Sequence, residues 1–241
     1  MKTLSIITPV YNEGKTISDV IKKVQSTKLN YNIKKELIIV NDGSKDNTDK
    51  IISSLLKAKK YDNIKYIEHK KNKGKGAAIR TALANCNGDI ILIQDSDLEY
   101  NPEDYNNLLK PIIENKVSIV YGSRFLNTRL KLFGKNRTLH ISHYIGNKLL
   151  TLLTAILFLQ RITDMETGYK VFKNSVIKNI KLEANRFEIE PEITSKILKS
   201  KYPIYEVPIS FNPRKFEEGK KITWKDGVKA LYYLFKYRLK N

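Results

Sequence analysis

Asp95-Ser96-Asp97 places two carboxylates two positions apart, just past the apolar run 90–94. Such a pair can share a divalent cation, or one can hold metal while the other holds a sugar hydroxyl. Hard oxygen donors suit Mg2+ or Mn2+, and a cation there bridges a diphosphate and stabilises the charge that grows as it leaves. By itself the pattern is weak in a chain with 25 acidic residues, where a solvated turn accounts for it as well. Glu13 and Asp42 also follow apolar runs; carboxylates so placed can accept hydrogen bonds from a ribose or a base edge. Asp42 lies in Asn-Asp-Gly, which is equally an ordinary turn. Asn72-Lys73-Gly74-Lys75-Gly76 opens a helical stretch whose N–H groups and lysines can meet phosphate, although it is neither a GxGxxG nor a full P-loop pattern. His69, His140 and His143 form no metal-ligand set, and no Ser-His-Asp arrangement is legible.

The elements that must position these groups follow from hydrophobic periodicity. Residues 4–10, 36–40, 64–68 and 89–94 are short apolar, β-branched runs that predict buried strands. Helical spacing predicts helices over 16–26, from a cap at Asp46 or Thr48 to about 59, and over 76–85. Strands alternate with helices, the pattern of a mostly parallel sheet covered on both faces. In such sheets ligands bind beyond the carboxyl ends of the strands, where Asn12-Glu13, Asp42 and Asp95–Asp97 all fall. The second half is less regular. It predicts a helix over 102–115, a strand over 117–121 running into Gly122-Ser123-Arg124, a long amphipathic helix over 142–159, a helix over 187–200 interrupted near Pro191, a strand over 204–211 and a closing helix over 225–239. No repeat, low-complexity tract or linker divides the chain, so residues 1–241 predict one domain, with a ligand-binding half over 1–125 and a second half over 126–241.

Composition sets the outer limits. The 241 residues can bury a substantial core, and 14 Tyr and 8 Phe exclude a disordered profile. The single cysteine, Cys86, cannot form an internal disulfide and points to a reducing compartment. Forty-four Lys and Arg against 25 Asp and Glu leave +19, a field that attracts polyanions, anionic lipid or phosphorylated substrates, or simply reflects a Lys-, Ile- and Asn-rich composition. The start is too soon interrupted for a signal peptide. The apolar run 149–159 falls short of the roughly 20 residues that span a bilayer, so a soluble or peripheral protein is expected.

Taken in order, Thr8-Pro9-Val10-Tyr11-Asn12-Glu13, Asn41-Asp42-Gly43-Ser44, Gly74-Lys75-Gly76, Asp95-Ser96-Asp97 and Gly122-Ser123-Arg124 resemble the family 2 glycosyltransferases. The branch is that of dolichyl-phosphate mannose or glucose synthases and bacterial polyprenyl-phosphate relatives. The resemblance continues through Asp164-Met165-Glu166-Thr167-Gly168-Tyr169-Lys170, Phe187-Glu188-Ile189-Glu190 and Glu206-Val207-Pro208-Ile209-Ser210-Phe211, and covers roughly residues 3–235. It implies a GT-A-type, Rossmann-like α/β fold with amphipathic helices in the C-terminal half. It also implies inverting, metal-dependent transfer of a hexose from a GDP- or UDP-sugar to a polyprenyl or dolichyl phosphate. Pro9, Tyr11, Glu13, Asp42, Lys75, Asp95 and Ser96 would bind the donor, and Asp95, Asp97 and Glu99 the Mg2+ or Mn2+. Asp97, Arg124 and Arg214 would serve catalysis; Arg137, Arg214 and Lys221 would face the acceptor phosphate. Asn41 in place of the usual first Asp, and Glu-Gly-Lys-Lys after Arg214, are departures that bear on donor choice.

A lipid phosphate is already largely anionic near neutral pH, so the enzyme's work would be positioning and charge stabilisation rather than strong base catalysis. The helix over 149–159 would lie in the interface or be a core helix. The closing helix interleaves Trp224, Tyr232, Tyr233, Phe235 and Tyr237 with Lys225, Lys229, Lys236 and Arg238, a pattern for an anionic membrane surface. The expectation is a cytoplasmic enzyme, peripheral at the cytoplasmic face of a membrane, with room for a separate membrane partner protein and no nucleic-acid partner. Three other readings stay open: a soluble transferase with a glycan acceptor, using Asp164 or Glu166 as base; a nucleotidyltransferase; and a non-catalytic polyanion-binding module.

Overall fold

The computed structural model describes residues 1–58, 60–126, 141–214 and 224–239, with the backbone alone for 141–143 and 224–226. The apolar runs of the first half become β1 (Thr3–Val10), β2 (Lys34–Asn41), β3 (Ile64–Glu68) and β4 (Ile90–Ile93). Between them lie α1 (Ile17–Ser26), α2 (Thr48–Lys57) and α3 (Lys75–Leu83). Asp46 does hold the start of α2, one position before its cap: its Oδ1 accepts from the Thr48 N–H at 3.0 Å. A 3-10 turn, Pro102–Asp104, leads into α4 (Tyr105–Ile113), and β5 is Ile119–Ser123.

Among the described residues the sheet has seven strands in the order β3-β2-β1-β4-β6-β5-β7. It is parallel except at β6 (Lys170–Lys173), which runs antiparallel to both β4 and β5. β7 (Tyr205–Pro208) pairs parallel with β5, shorter than the sequence predicts; Phe211 keeps only an isolated bridge to Tyr100. The sequence pattern shows neither β6 nor the single turn α6 (Asn174–Ile177). Successive strand residues point to opposite faces, so the register sorts the core. Ile7, Ile38 and Ile93 pack with Ala78 of α3 and Ile193 of α7 (Ile189–Lys199). Their neighbours Ile6, Leu37 and Leu92 pack with Val20 of α1 and Leu108 of α4. Pro191 does not interrupt α7. It lies in the first turn, where its missing N–H has no partner to lose.

The long helix α5 (Ile141–Phe158) carries its polarity inverted. It buries Asn147, Thr151 and Thr154 with Leu150, and exposes Ile145, Leu149, Leu152 and Ile156, each 55–61% accessible. Its neighbour α8 (Trp224–Leu239) buries Ala230, Leu234 and Tyr237 and exposes Val228, Tyr232, Phe235 and Leu239. Arg238 of α8 donates its Nε–H to the Leu157 carbonyl at 2.8 Å, fixing one helix on the other. No described helix is long and apolar enough to cross a membrane.

Candidate active site

β1 has β2 on one side and β4 on the other, so the chain turns opposite ways from neighbouring strands and opens a crevice at their carboxyl ends. A cavity of about 420 Å3 lies there. Its lining includes Pro9, Tyr11, Glu13, Asp42, Lys75, Asp95, Ser96, Asp97, Glu99, Arg124 and Arg214. Tertiary structure thus gathers residues spread over some two hundred positions into one wall. Arg137 and Lys221 lie outside the described residues.

Two turns aim the acidic loops. Asn12 takes a left-handed conformation (φ 51°), with its N–H on Ser44 Oγ and its Oδ1 on the Lys45 N–H; Asn tolerates this better than other residues. Leu98 is left-handed too (φ 63°), at a cost of about 1–2 kcal/mol. That strain bends the chain just after Asp97, whose Oδ1 accepts from the Glu99 N–H at 3.2 Å. Ser96 is spent on the scaffold: its hydroxyl donates to the Pro9 carbonyl at 3.1 Å, tying the β4 loop to the end of β1.

Arg214 laces the acidic cluster together. Its guanidinium meets Glu13 Oε2 at 2.8 Å and the Asp97 carbonyl at 2.7 Å, and its backbone N–H meets Glu99 Oε1 at 2.8 Å. Burial, then the neighbouring Asp95 and Glu99 charges, push the Asp97 carboxyl up to about 7. Lys75, at the first turn of α3, bridges Asp95 (2.8 Å) and Glu190 of α7 (3.0 Å). Glu190 also holds the fully buried Lys170. Burial alone would raise the Glu190 carboxyl, but the two ammonium groups overcome it and hold it below its usual range.

Asp42 is engaged in shaping the wall. It accepts from the Lys73 and Gly74 N–H groups and pairs with buried His69 at 2.6 Å, which also contacts Thr81. His69 is therefore part of the site's frame, a role its sequence context does not reveal. Gly74 (φ 102°) must be glycine, since a Cβ there would collide with the Asn185 carbonyl. The loop carrying Asn185, Arg186 and Phe187 forms the facing wall. The sequence motif Phe187–Glu190 marks this region without indicating that Arg186 lines the cavity. Gly168 likewise seats Asp95: a Cβ there would strike the carboxylate Oδ2.

Arg124 follows β5 directly and pairs with Asp164 through two bonds of 2.7 Å. Asp164 is fully buried and also accepts from Asn147 of α5 at 2.7 Å. Burial works against its charge, yet Arg124 holds its carboxyl below the ordinary range. Asp164 is thus a clamp for Arg124, and of the two carboxylates weighed as a base only Glu166 keeps that chemistry. Burial and the nearby Glu190 push the Glu166 carboxyl up to about 7.

Asp95, Asp97 and Glu99 do not converge as a cage. Among the described residues no three His, Cys, Asp or Glu groups gather closely enough to hold a metal ion. Glu99 is drawn to the Arg214 backbone instead. Asp95 and Asp97 still fit a cation whose other ligands come from a diphosphate and water, the usual state of Mg2+ in phosphate-processing sites. The crowding that raises the Asp97 carboxyl is the crowding a cation relieves.

A parallel sheet with an antiparallel strand inserted, helices on both faces and an acidic crevice at the switch point define a GT-A-type fold. The chain belongs to glycosyl transferase family 2, whose model matches residues 5–181, and it is a glycosyltransferase. It is 30% identical over 253 aligned positions to the UDP-N-acetylglucosamine–dolichyl-phosphate N-acetylglucosaminyltransferase of Methanococcus voltae, covering 99% of this chain and 97% of that protein. It is 29% identical to the dolichyl-phosphate β-glucosyltransferase of Dictyostelium discoideum, covering 86% of this chain and 66% of that protein. A glucosyl-3-phosphoglycerate synthase from Mycobacterium tuberculosis, crystallised with Mn2+, uridine diphosphate and phosphoglyceric acid, shares the fold at a TM-score of 0.73 and 18% identity. That match covers 99% of this chain and 79% of the other.

Proposed function

We propose that the chain transfers a sugar from a nucleoside diphosphate sugar to a polyprenyl phosphate at a membrane surface. The inverted helix α5 carries this reading: it turns an aliphatic row outward while its buried polar row reaches the site through Asn147 and Asp164. An exposed row of this kind suits the boundary between head groups and acyl chains. The neighbouring α8 adds Tyr232 and Phe235 beside Lys229 and Lys236, a composition that favours anionic interfaces. The two curated relatives act, by name, on dolichyl phosphate.

On this reading Asp95 and Asp97 would hold Mg2+ or Mn2+, which would supply charge stabilisation at the departing diphosphate. Pro9, Tyr11 and Glu13 face the nucleoside. Arg124 is held rigid by Asp164 and stacked on Phe211 with 5.1 Å to the ring centroid. Asp164 holds it bidentately, and the guanidinium presents fixed positive charge to the acceptor phosphate. Arg137 and Lys221 would join it there. A phosphate oxygen already ionised needs little base assistance, and positioning it against the anomeric carbon is the main catalytic task.

The test is transfer of labelled sugar from a panel of UDP- and GDP-sugars, with Mn2+, Mg2+ or EDTA, to polyprenyl phosphate in anionic vesicles. Labelled lipid should form with metal and vanish with EDTA. Full activity in EDTA would sink the metal assignment. Transfer to a soluble saccharide but never to the lipid would sink the acceptor. Paired Leu149→Asp and Ile156→Asp changes should abolish vesicle flotation while leaving donor binding intact.

A further inference from the structure

Glu13, Asp42, Asp95, Asp97, Glu99 and Glu190 all line the cavity, and each has a partner: Arg214, His69, Lys75, the Glu99 N–H, the Arg214 N–H and Lys170. Glu166 is the exception. Among the described residues its side chain has no hydrogen-bond or ion-pair partner, and its Oε1 is withdrawn from solvent. A carboxyl oxygen withdrawn from solvent without a partner costs free energy, and such an atom inside a cleft is where a ligand completes the hydrogen bonding.

The place indicates which ligand group does so. Glu166 is two residues from Gly168, which packs on Asp95, and it feels the charges of Glu190, Lys170, Arg124 and Asp164. It therefore lies between the acidic loop that would hold the donor's diphosphate and the clamped arginine. The cations around it are committed, Lys75 to Asp95 and Glu190, Lys170 to Glu190, and Arg124 to Asp164. A carboxylate entering beside Glu166 meets two acidic groups, Glu166 and Glu190. A sugar hydroxyl brings a hydrogen-bond donor to the unpartnered Glu166 Oε1.

Building on the transferase reading above, we infer that Glu166 selects the donor sugar by accepting a hydroxyl hydrogen bond and, with Glu190 beside it, restricts the donor to neutral sugars and rejects uronates. A site built to bond a hydroxyl discriminates far more strongly than one built on apolar contact.

The experiment compares wild type, Glu166→Gln and Glu166→Ala with UDP-glucose, UDP-N-acetylglucosamine, GDP-mannose and UDP-glucuronate. It measures donor hydrolysis and transfer together with the affinity for the free nucleoside diphosphate. Thermal unfolding shows that each variant is folded. Wild type should favour its best neutral donor over the uronate by at least about 100-fold. Glu166→Ala should lower kcat/KM for that donor by about 100-fold and leave diphosphate affinity within about threefold, the loss of a hydrogen bond to a charged group plus desolvation. Glu166→Gln should keep neutral-donor activity within about tenfold and narrow the gap to the uronate. A uniform loss with every donor, in both variants, would make Glu166 a base and overturn the inference. So would a wild-type preference for the uronate, which would move sugar selection to Arg186, the other charged side chain on the facing wall of the cavity. Because hydrolysis and diphosphate affinity need no acceptor, failure of lipid transfer alone would refute the acceptor assignment and leave this result standing.

Discussion

Replacing Asp97 by Asn should stabilise the metal-free protein while destroying its activity. Burial and the charges of Asp95 and Glu99 push this carboxyl from 3.8 up to about 7. About three pH units at 1.36 kcal/mol each set a ceiling of roughly 4 kcal/mol on the cost of ionising it. Coupling among the three carboxylates spreads that cost, so about 2 kcal/mol is expected from Asp97 itself. The sign follows from proton binding. Between about pH 4 and pH 7 the folded chain holds this proton while the unfolded chain has lost it, so wild-type stability falls as pH rises. Asparagine keeps the shape and can still accept from the Glu99 N–H, but it carries no charge. The gain should be small at pH 5 and complete by pH 8, where about 2 kcal/mol corresponds to roughly 4–8 °C in a chain of this size. Thermal unfolding in EDTA at both pH values measures it, and added Mn2+ should raise wild type toward the variant. A variant less stable than wild type at pH 8, or one whose advantage does not change with pH, would refute the electrostatic reasoning.

Two further changes test the frame. Asp164→Asn leaves the Arg124 guanidinium buried without its counter-ion; a loss of about 3–5 kcal/mol is expected. That deficit should be full near pH 7 and shrink as pH falls through the carboxylate range, because the folded carboxyl is held low. Chemical denaturation across pH checks this. Gly168→Ala forces a methyl into the Asp95 carboxylate, so metal-dependent donor binding, followed by calorimetry, should fall at least about tenfold; unchanged affinity would show that Asp95 needs no fixed seat.

Much of the frame was legible in the residues. Alternating apolar runs and helical spacing dictated β1 to β4 and α1 to α3, because buried parallel strands need continuous apolar residues and their covering helices need one apolar stripe. The strand-end rule then put Glu13, Asp42 and Asp95–Asp97 on one rim. What stayed hidden depends on pairing over long sequence distances. β6 reads Lys-Val-Phe-Lys, too short and too charged to announce a buried strand, yet Lys170 is fully buried because Glu190, 20 residues on, answers its charge. Asp164 offers the same lesson: its residue type suits a base, and only Arg124, 40 residues earlier, makes it a clamp.

The sequence by itself therefore determined the order of elements, the α/β class and the acidic loops, since these follow from local periodicity and turn chemistry. Tertiary structure decided which charges neutralise one another, that α5 faces outward with its aliphatic row, and that Glu166 alone among the cavity's described carboxylates is left to a ligand. A charge's role is set by what is packed beside it, and no local pattern carries that information.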